Sequence, residues 1–131
     1  MTILVAYSAD AYGRAALEHG VGEAERSGEP VVVVNVTKGD ALVDTRYADD
    51  SDAALVRERL EGLSVPAELR QSMSPDVAEE ILDIASSVDP RLIVVGVRRR
   101  TPMGKLIMGS VAQRLILDAS CPVVAVKPDS H

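Results

Sequence analysis

Residues 92–126 read LIVVGVRRRTPMGKLIMGSVAQRLILDASCPVVAV, and this stretch decides the fold. Leu92 to Val95 is a run of large apolar residues ended by Gly96, the right length for a buried strand. Val97 to Met108 is a basic connection bearing Gly and Pro. Gly109-Ser110 opens a helix that runs to about Ala119, and Pro122 to Val126 forms a second apolar strand. Strand, helix and strand in this order are the unit of a parallel sheet whose strands are buried on both faces.

The same alternation extends back to the N-terminus. Ile3 to Tyr7 is a short apolar strand. Asp10 caps a helix with Leu17, Val21 and Ala24 on one face, closed by Ser27-Gly28. Val31 to Val36 is the clearest strand of the chain, with four consecutive valines. Thr37 to Asp52 is polar, acidic and aperiodic, the pattern of a long surface loop. Ser51-Asp52 starts a second helix with Leu55, Val56, Leu60 and Leu63 inward and Gly62 near its end, and a weaker strand covers about Ala67 to Gln71. Ser74 and Pro75 supply the cap and first position of a third helix, carried by Val77, Ile81, Ile84 and Val88 and stopped by Asp89-Pro90. Strands alternate with helices five times, with no internal repeat and no linker. The expectation is one α/β domain spanning 1–131, with helices on both faces of a parallel sheet.

Composition narrows the function. The chain of 131 residues is 47% hydrophobic yet has no Phe, no Trp and three Tyr, so its core is built from Val, Ile, Leu and Ala. An aromatic platform for stacking single-stranded nucleic acid is not available from such a chain. A net charge of −6 argues against nucleic acid or an anionic membrane as partner. The local exception is Arg98, Arg99, Arg100 and Lys105. A lone Cys121 excludes an internal disulfide and a CxxC site; it reads as a small buried residue. No cluster has metal-ligand spacing. No basic start precedes a long apolar run, and no segment approaches about eighteen uninterrupted apolar residues, so a cytoplasmic protein is expected. His19 reads as a surface residue, His131 as terminal, and Tyr12 and Tyr47 carry no chemical signal.

In open α/β sheets, ligands bind beyond the carboxyl ends of the strands where strand order switches. Three places qualify: Tyr7 to Asp10, Val36 to Gly39, and Gly96 to Ser110. The third is the richest, because a helix N-terminus at Gly109-Ser110 offers unpaired N–H groups and a partial positive charge to a phosphate. Glycine admits close approach of the ligand, and the Ser110 hydroxyl adds a donor.

The segment GVRRRTPMGKLIMGSVAQRLILDASCPVVAV closely resembles the C-terminal signature of universal stress proteins, whose nucleotide-binding members carry Gly, two residues, Gly, nine residues, Gly, then Ser or Thr. Gly96, Gly109 and Ser110 fall on that pattern, while Arg99 stands at the second glycine position. The opening ILVAYSADAYGRAAL resembles the family's first strand and helix. Many members end that strand with an Asp that contacts the nucleotide; this chain has Ser8 there and Asp10 two residues on. Val36 matches the position that meets adenine. The resemblance covers essentially the whole chain and is weakest in the acidic loop. It implies a Rossmann-like three-layer sandwich, a five-stranded parallel sheet in the order 3-2-1-4-5, and a homodimer through the last strand.

Residues and resemblance together give Tyr7, Ser8, Asp10, Val36, Gly96, Arg98, Arg99, Gly109, Ser110 and Val111 as the expected binding set. The expected ligand is ATP, or ADP or AMP, with Mg²⁺ or Mn²⁺ held through the phosphates. The expected role is a nucleotide-responsive dimer in stress response, not an enzyme. Arg99 is expected to take a phosphate with its guanidinium.

Other nucleotide and phosphate folds fit less well. A P-loop needs GxxxxGK and then Ser or Thr, whereas Gly104-Lys105 is followed by Leu106. No GxGxxG follows the first strand. A phospho-receiver domain finds Lys127-Pro128 but no acceptor Asp in Arg70-Gln71-Ser72. A hydrolase lacks a histidine at a strand end. The rival from another functional class is the same fold without nucleotide binding, acting as a dimeric interaction module; Ser8 and Arg99 are the features that favour it.

Overall fold

The structure, a computed structural model, describes residues 1–38, 48–97 and 109–128. Its elements are β1 (Thr2–Ala6), α1 (Ala11–Ser27), β2 (Val31–Thr37), α2 (Asp50–Glu61), β3 (Ala67–Met73), α3 (Val77–Val88), β4 (Pro90–Gly96), α4 (Ser110–Asp118) and β5 (Val123–Val126). The strands pair in parallel in the order β3-β2-β1-β4-β5, as the resemblance implied.

Side-chain alternation divides the apolar strands between two cores. Ile3, Val5, Val31, Val33, Leu92 and Val94 point to one face, where Leu17 and Val21 of α1 and Val56 and Leu60 of α2 meet them. Leu4, Val32, Val34, Ile93 and Val95 point to the other, against Ile81 and Ala85 of α3 and Ala112 and Leu115 of α4. Continuous apolar strands are what a sheet covered on both faces requires. Burying each such Val, Ile or Leu contributes roughly 1.5–3 kcal/mol. Among the described residues no helix is long and apolar enough to cross a membrane.

Several boundaries and faces differ from the expectation. The cap of α2 is Asp49, whose carboxylate accepts the Asp52 N–H, not Ser51-Asp52. The cap of α3 is Asp76, which accepts the Glu79 N–H, while the Ser74 hydroxyl accepts the Asp76 N–H in the preceding turn. In both cases a carboxylate two residues from the expected serine wins the role, since an ionised acceptor also meets the positive end of the helix. Leu55 is 62% exposed, whereas Ala53, Val56 and Leu60 carry the buried stripe of α2. A stripe through 53, 56 and 60 at 3.6 residues per turn leaves position 55 outside. β3 continues to Met73 and β4 begins at Pro90, both longer than read.

Candidate functional site

The chain passes from β1 through α1 to β2 on one side, then returns from β3 through α3 to β4 on the other. The ends of β1 and β4 therefore part at a topological switch point, where open α/β sheets leave a crevice. A cleft occupies this place, on the side of the sheet covered by α3 and α4.

At the end of β1 the backbone turns sharply into α1. The Asp10 carboxylate caps the helix by accepting the Gly13 N–H at 2.9 Å, and the same oxygen takes the Ser8 hydroxyl at 2.7 Å. A side chain at Gly13 would overlap the Ser8 backbone, so this turn is tight enough to demand glycine. Tyr7 lines the cleft, yet its ring lies in the α1–α2 core, where the alternation of Ile3 and Val5 carried one step past β1 places it. There its hydroxyl donates to Asp52 at 2.7 Å, and Arg14 stands 3.6 Å from the same carboxylate. Burial first, and the Asp52 carboxylate second, push the Tyr7 phenol well above its ordinary pKa.

At the end of β2, Val36 forms an apolar wall together with Val77 and Ile81 of α3. Beside it Asn35, 2% exposed, is a polar residue set among the valines of the strand. Its Nδ2 donates to the Tyr7 carbonyl at 2.9 Å, and its Oδ1 accepts the Ala48 N–H at 2.8 Å. Gln71 of β3 completes the network by donating to the Ala48 carbonyl at 2.9 Å. Just past the strand, exposed Lys38 brings a positive charge to the rim of the cleft.

Across the cleft, β4 ends at Gly96 and α4 begins after Gly109. A Cβ on Gly96 would collide with the Tyr12 carbonyl oxygen, so the missing side chain here makes room for the start of α1. Gly109 has φ 85° and ψ 147°, a conformation open essentially to glycine alone. Asp10, Asp49 and Asp76 cap α1, α2 and α3 with carboxylates, but no side chain caps α4. Ser110 and Val111, in its first turn, line the cleft, so the N–H groups left over at this helix start are at hand for an anion.

Eight of the expected residues thus meet in one cleft: Tyr7, Ser8, Asp10, Val36, Gly96, Gly109, Ser110 and Val111. Arg98 and Arg99 lie outside the described residues, as do Arg100, Gly104, Lys105, Tyr47 and His131. Lys38, Asn35, Tyr12, Val77 and Ile81 also line the cleft and were not anticipated. Lys38 lay within the strand-end window from Val36 to Gly39, so the rule that found Val36 also pointed at it. Among the described residues no three His, Cys, Asp or Glu side chains gather as metal ligands.

The family model for the universal stress protein family matches residues 1–127. A universal stress protein of Mycolicibacterium smegmatis is 49% identical over 126 residues, covering 96% of this chain and 97% of that protein. The solved universal stress protein from Archaeoglobus fulgidus superposes with a TM-score of 0.74 at 28% identity, over 96% of this chain and 97% of that one. A structure of the Archaeoglobus fulgidus protein in complex with dAMP superposes with a TM-score of 0.63 at 25% identity, over 96% of each chain.

Proposed function

The chain belongs to the universal stress protein family, and from that premise we propose that it binds an adenine nucleotide in the cleft between the ends of β1 and β4. In this reading 1–131 is a single such domain, acting in the cytoplasm as a nucleotide-responsive regulator of the stress response and not as an enzyme. The observation that carries the reading is the uncapped start of α4 at Gly109, set opposite the apolar wall of Val36, Val77 and Ile81 in one cleft. The first suits phosphate and the second suits a base. The similar protein solved with dAMP supports the ligand class. ATP, ADP and AMP share these two groups; Lys38, with Arg98 and Arg99, would add positive charge for the longer phosphate chains. With no group of His, Cys, Asp or Glu side chains placed to hold a metal ion among the described residues, Mg²⁺ or Mn²⁺ would enter on the phosphates.

Calorimetry with ATP, ADP, AMP and adenosine tests the reading, alongside mass spectrometry of any nucleotide released on denaturing the purified protein. The phosphate-bearing ligands should bind at least tenfold more tightly than adenosine, the ratio expected for one charge-assisted bond of about 1.5 kcal/mol or more. No binding of any of them at millimolar concentration would defeat it. The interaction-module reading would then stand, favoured by Ser8 and Arg99 where the resemblance places an Asp and a Gly.

We also propose that β5 pairs with its copy in a homodimer. It is the edge strand, and Ile93 and Val97 of the β4 side take the carbonyls of Pro122 and Val126. Alternation then turns the N–H and C=O groups of Val123 and Ala125 to the open edge. Val124 packs against the α1–α2 core, so a charge there would damage the fold as well as the edge. Ala125 is exposed, and Ala125→Pro removes one outward N–H while sparing the bonds to β4. Light scattering should find a dimer for the parent and a monomer for the variant; a variant that stays dimeric places the interface elsewhere.

A further inference from the structure

We infer that Ser8 and Asp10 form an acceptor pair that selects a nucleotide by a free hydroxyl on its sugar; this rests on the nucleotide reading above and narrows its ligand to nucleotides whose sugar keeps such a hydroxyl. The cleft has three zones set by strand order. The apolar wall of Val36 and Ile81 stands at β2, the uncapped start of α4 lies beyond β4, and β1 runs between them. Neighbouring strands are about 4.8 Å apart, so the three positions follow one another across roughly 10 Å. A nucleotide with its base on the apolar wall and its phosphate at α4 lays its sugar over the end of β1.

What β1 offers there is settled by hydrogen bonding. An ionised carboxylate has no proton to give, so the Ser8 hydroxyl is the donor in its 2.7 Å bond to Asp10. The Asp10 oxygen that receives it also holds the Gly13 N–H. Ser8 therefore presents only lone pairs to a ligand, and Asp10 presents only carboxylate oxygen. A phosphate carries lone pairs and negative charge, and is repelled. A sugar hydroxyl carries a hydrogen to give, and the carboxylate behind Ser8 strengthens the bond that the Ser8 oxygen accepts. The nucleotide's other donor is the exocyclic amine of the base, which the apolar wall draws away from β1. The similar protein solved with dAMP holds a sugar without its 2′-hydroxyl, so any strict selection belongs to the residues of this chain and not to the fold.

The test is a ligand–variant cycle by calorimetry with AMP, 2′-deoxy-AMP, 3′-deoxy-AMP, 2′,3′-dideoxy-AMP and inosine 5′-monophosphate. The parent should bind AMP roughly ten- to a hundredfold more tightly than the dideoxy analogue, the range for a hydrogen bond to a charged acceptor. The two single deoxy analogues show which hydroxyl is read. Ser8→Ala should bring AMP down to the level of dideoxy-AMP and leave dideoxy-AMP unchanged. Asp10→Asn keeps an acceptor for the helix cap, so the fold is retained, and should shrink the same ratio by removing the charge behind Ser8. The Ser8→Ala loss should persist with the inosine nucleotide; if it vanishes there, the pair reads the base amine and the inference is wrong. Equal parent affinity for AMP and dideoxy-AMP also overturns it, as does a uniform loss in both variants. If no adenine nucleotide binds the parent at all, the nucleotide reading fails first and this inference falls with it.

Discussion

Gly109→Asp should reduce nucleotide affinity by more than a hundredfold while leaving the protein at least as stable as Gly109→Ala. Both variants force a side chain onto φ 85° and ψ 147°, which costs about 1–3 kcal/mol. Neither meets a steric obstacle, because nothing lies within 4 Å of a Cβ built there. They differ in charge. The introduced carboxylate is a good N-cap for α4, the only one of the four described helices without a side-chain cap. It satisfies the N–H groups that a phosphate would otherwise use, and repels the phosphate besides. Losing one or two charge-assisted bonds, at about 1.5–3 kcal/mol each, accounts for the loss. Affinity and melting temperature should therefore rank the two variants in opposite order. Equal affinity losses would mean that only backbone strain matters and that the phosphates sit elsewhere.

Asn35→Leu should cost about 3–5 kcal/mol of folding stability with little change in volume. Asn35 holds three segments together: the Tyr7 carbonyl just past β1, the Ala48 N–H ahead of α2, and Gln71 on β3 at 3.3 Å. Ala48 is 2% exposed, so water does not replace the lost partner. Each buried group stranded in this way costs about 1–3 kcal/mol. Against a total stability on the order of 5–15 kcal/mol, the loss lowers the melting temperature by roughly 10–20 °C. Urea unfolding of parent and variant measures it. A difference below about 1 kcal/mol would show that the network is dispensable.

The expectation from sequence was soundest where chemistry is local. Runs such as Val31–Val34 and Leu92–Val95 have one physical outcome in a chain without aromatics, a strand covered on both faces. Helix closure at Gly28, with φ 73°, follows from its freedom in the left-handed region. Sheet order is not local: nothing in the periodicity of β1 says that β4 will lie beside it, and the order came through the family resemblance. Caps were misplaced at α2 and α3 because several acceptors crowd each helix start, and geometry alone selects Asp49 and Asp76. In the cleft, the strand-end rule pointed to Ser8, Val36 and Gly109, which lie at or just past the ends of their strands or open a helix. It passed over Val77 and Ile81, which reach the cleft from a helix whose apolar stripe looks like any other. Gly96, carried over on the family pattern, lines the cleft, and the space its side chain would fill is taken by the Tyr12 carbonyl of the same chain.

The bond between Tyr7 and Asp52 gives this chain an alkaline limit that can be watched by light absorption. With three tyrosines and no tryptophan, the near-ultraviolet spectrum of the protein is that of its phenols. In the folded state the buried Tyr7 phenol holds its proton above the ordinary tyrosine value, first through burial and then through Asp52. In the unfolded chain the same phenol ionises near pH 10. A group whose folded pKa is raised contributes its full stability below the unfolded value and loses it as pH climbs toward the folded one. The phenolate absorbance of Tyr7 should therefore rise late and together with loss of ellipticity, so that one chromophore records the opening of the α1–α2 core.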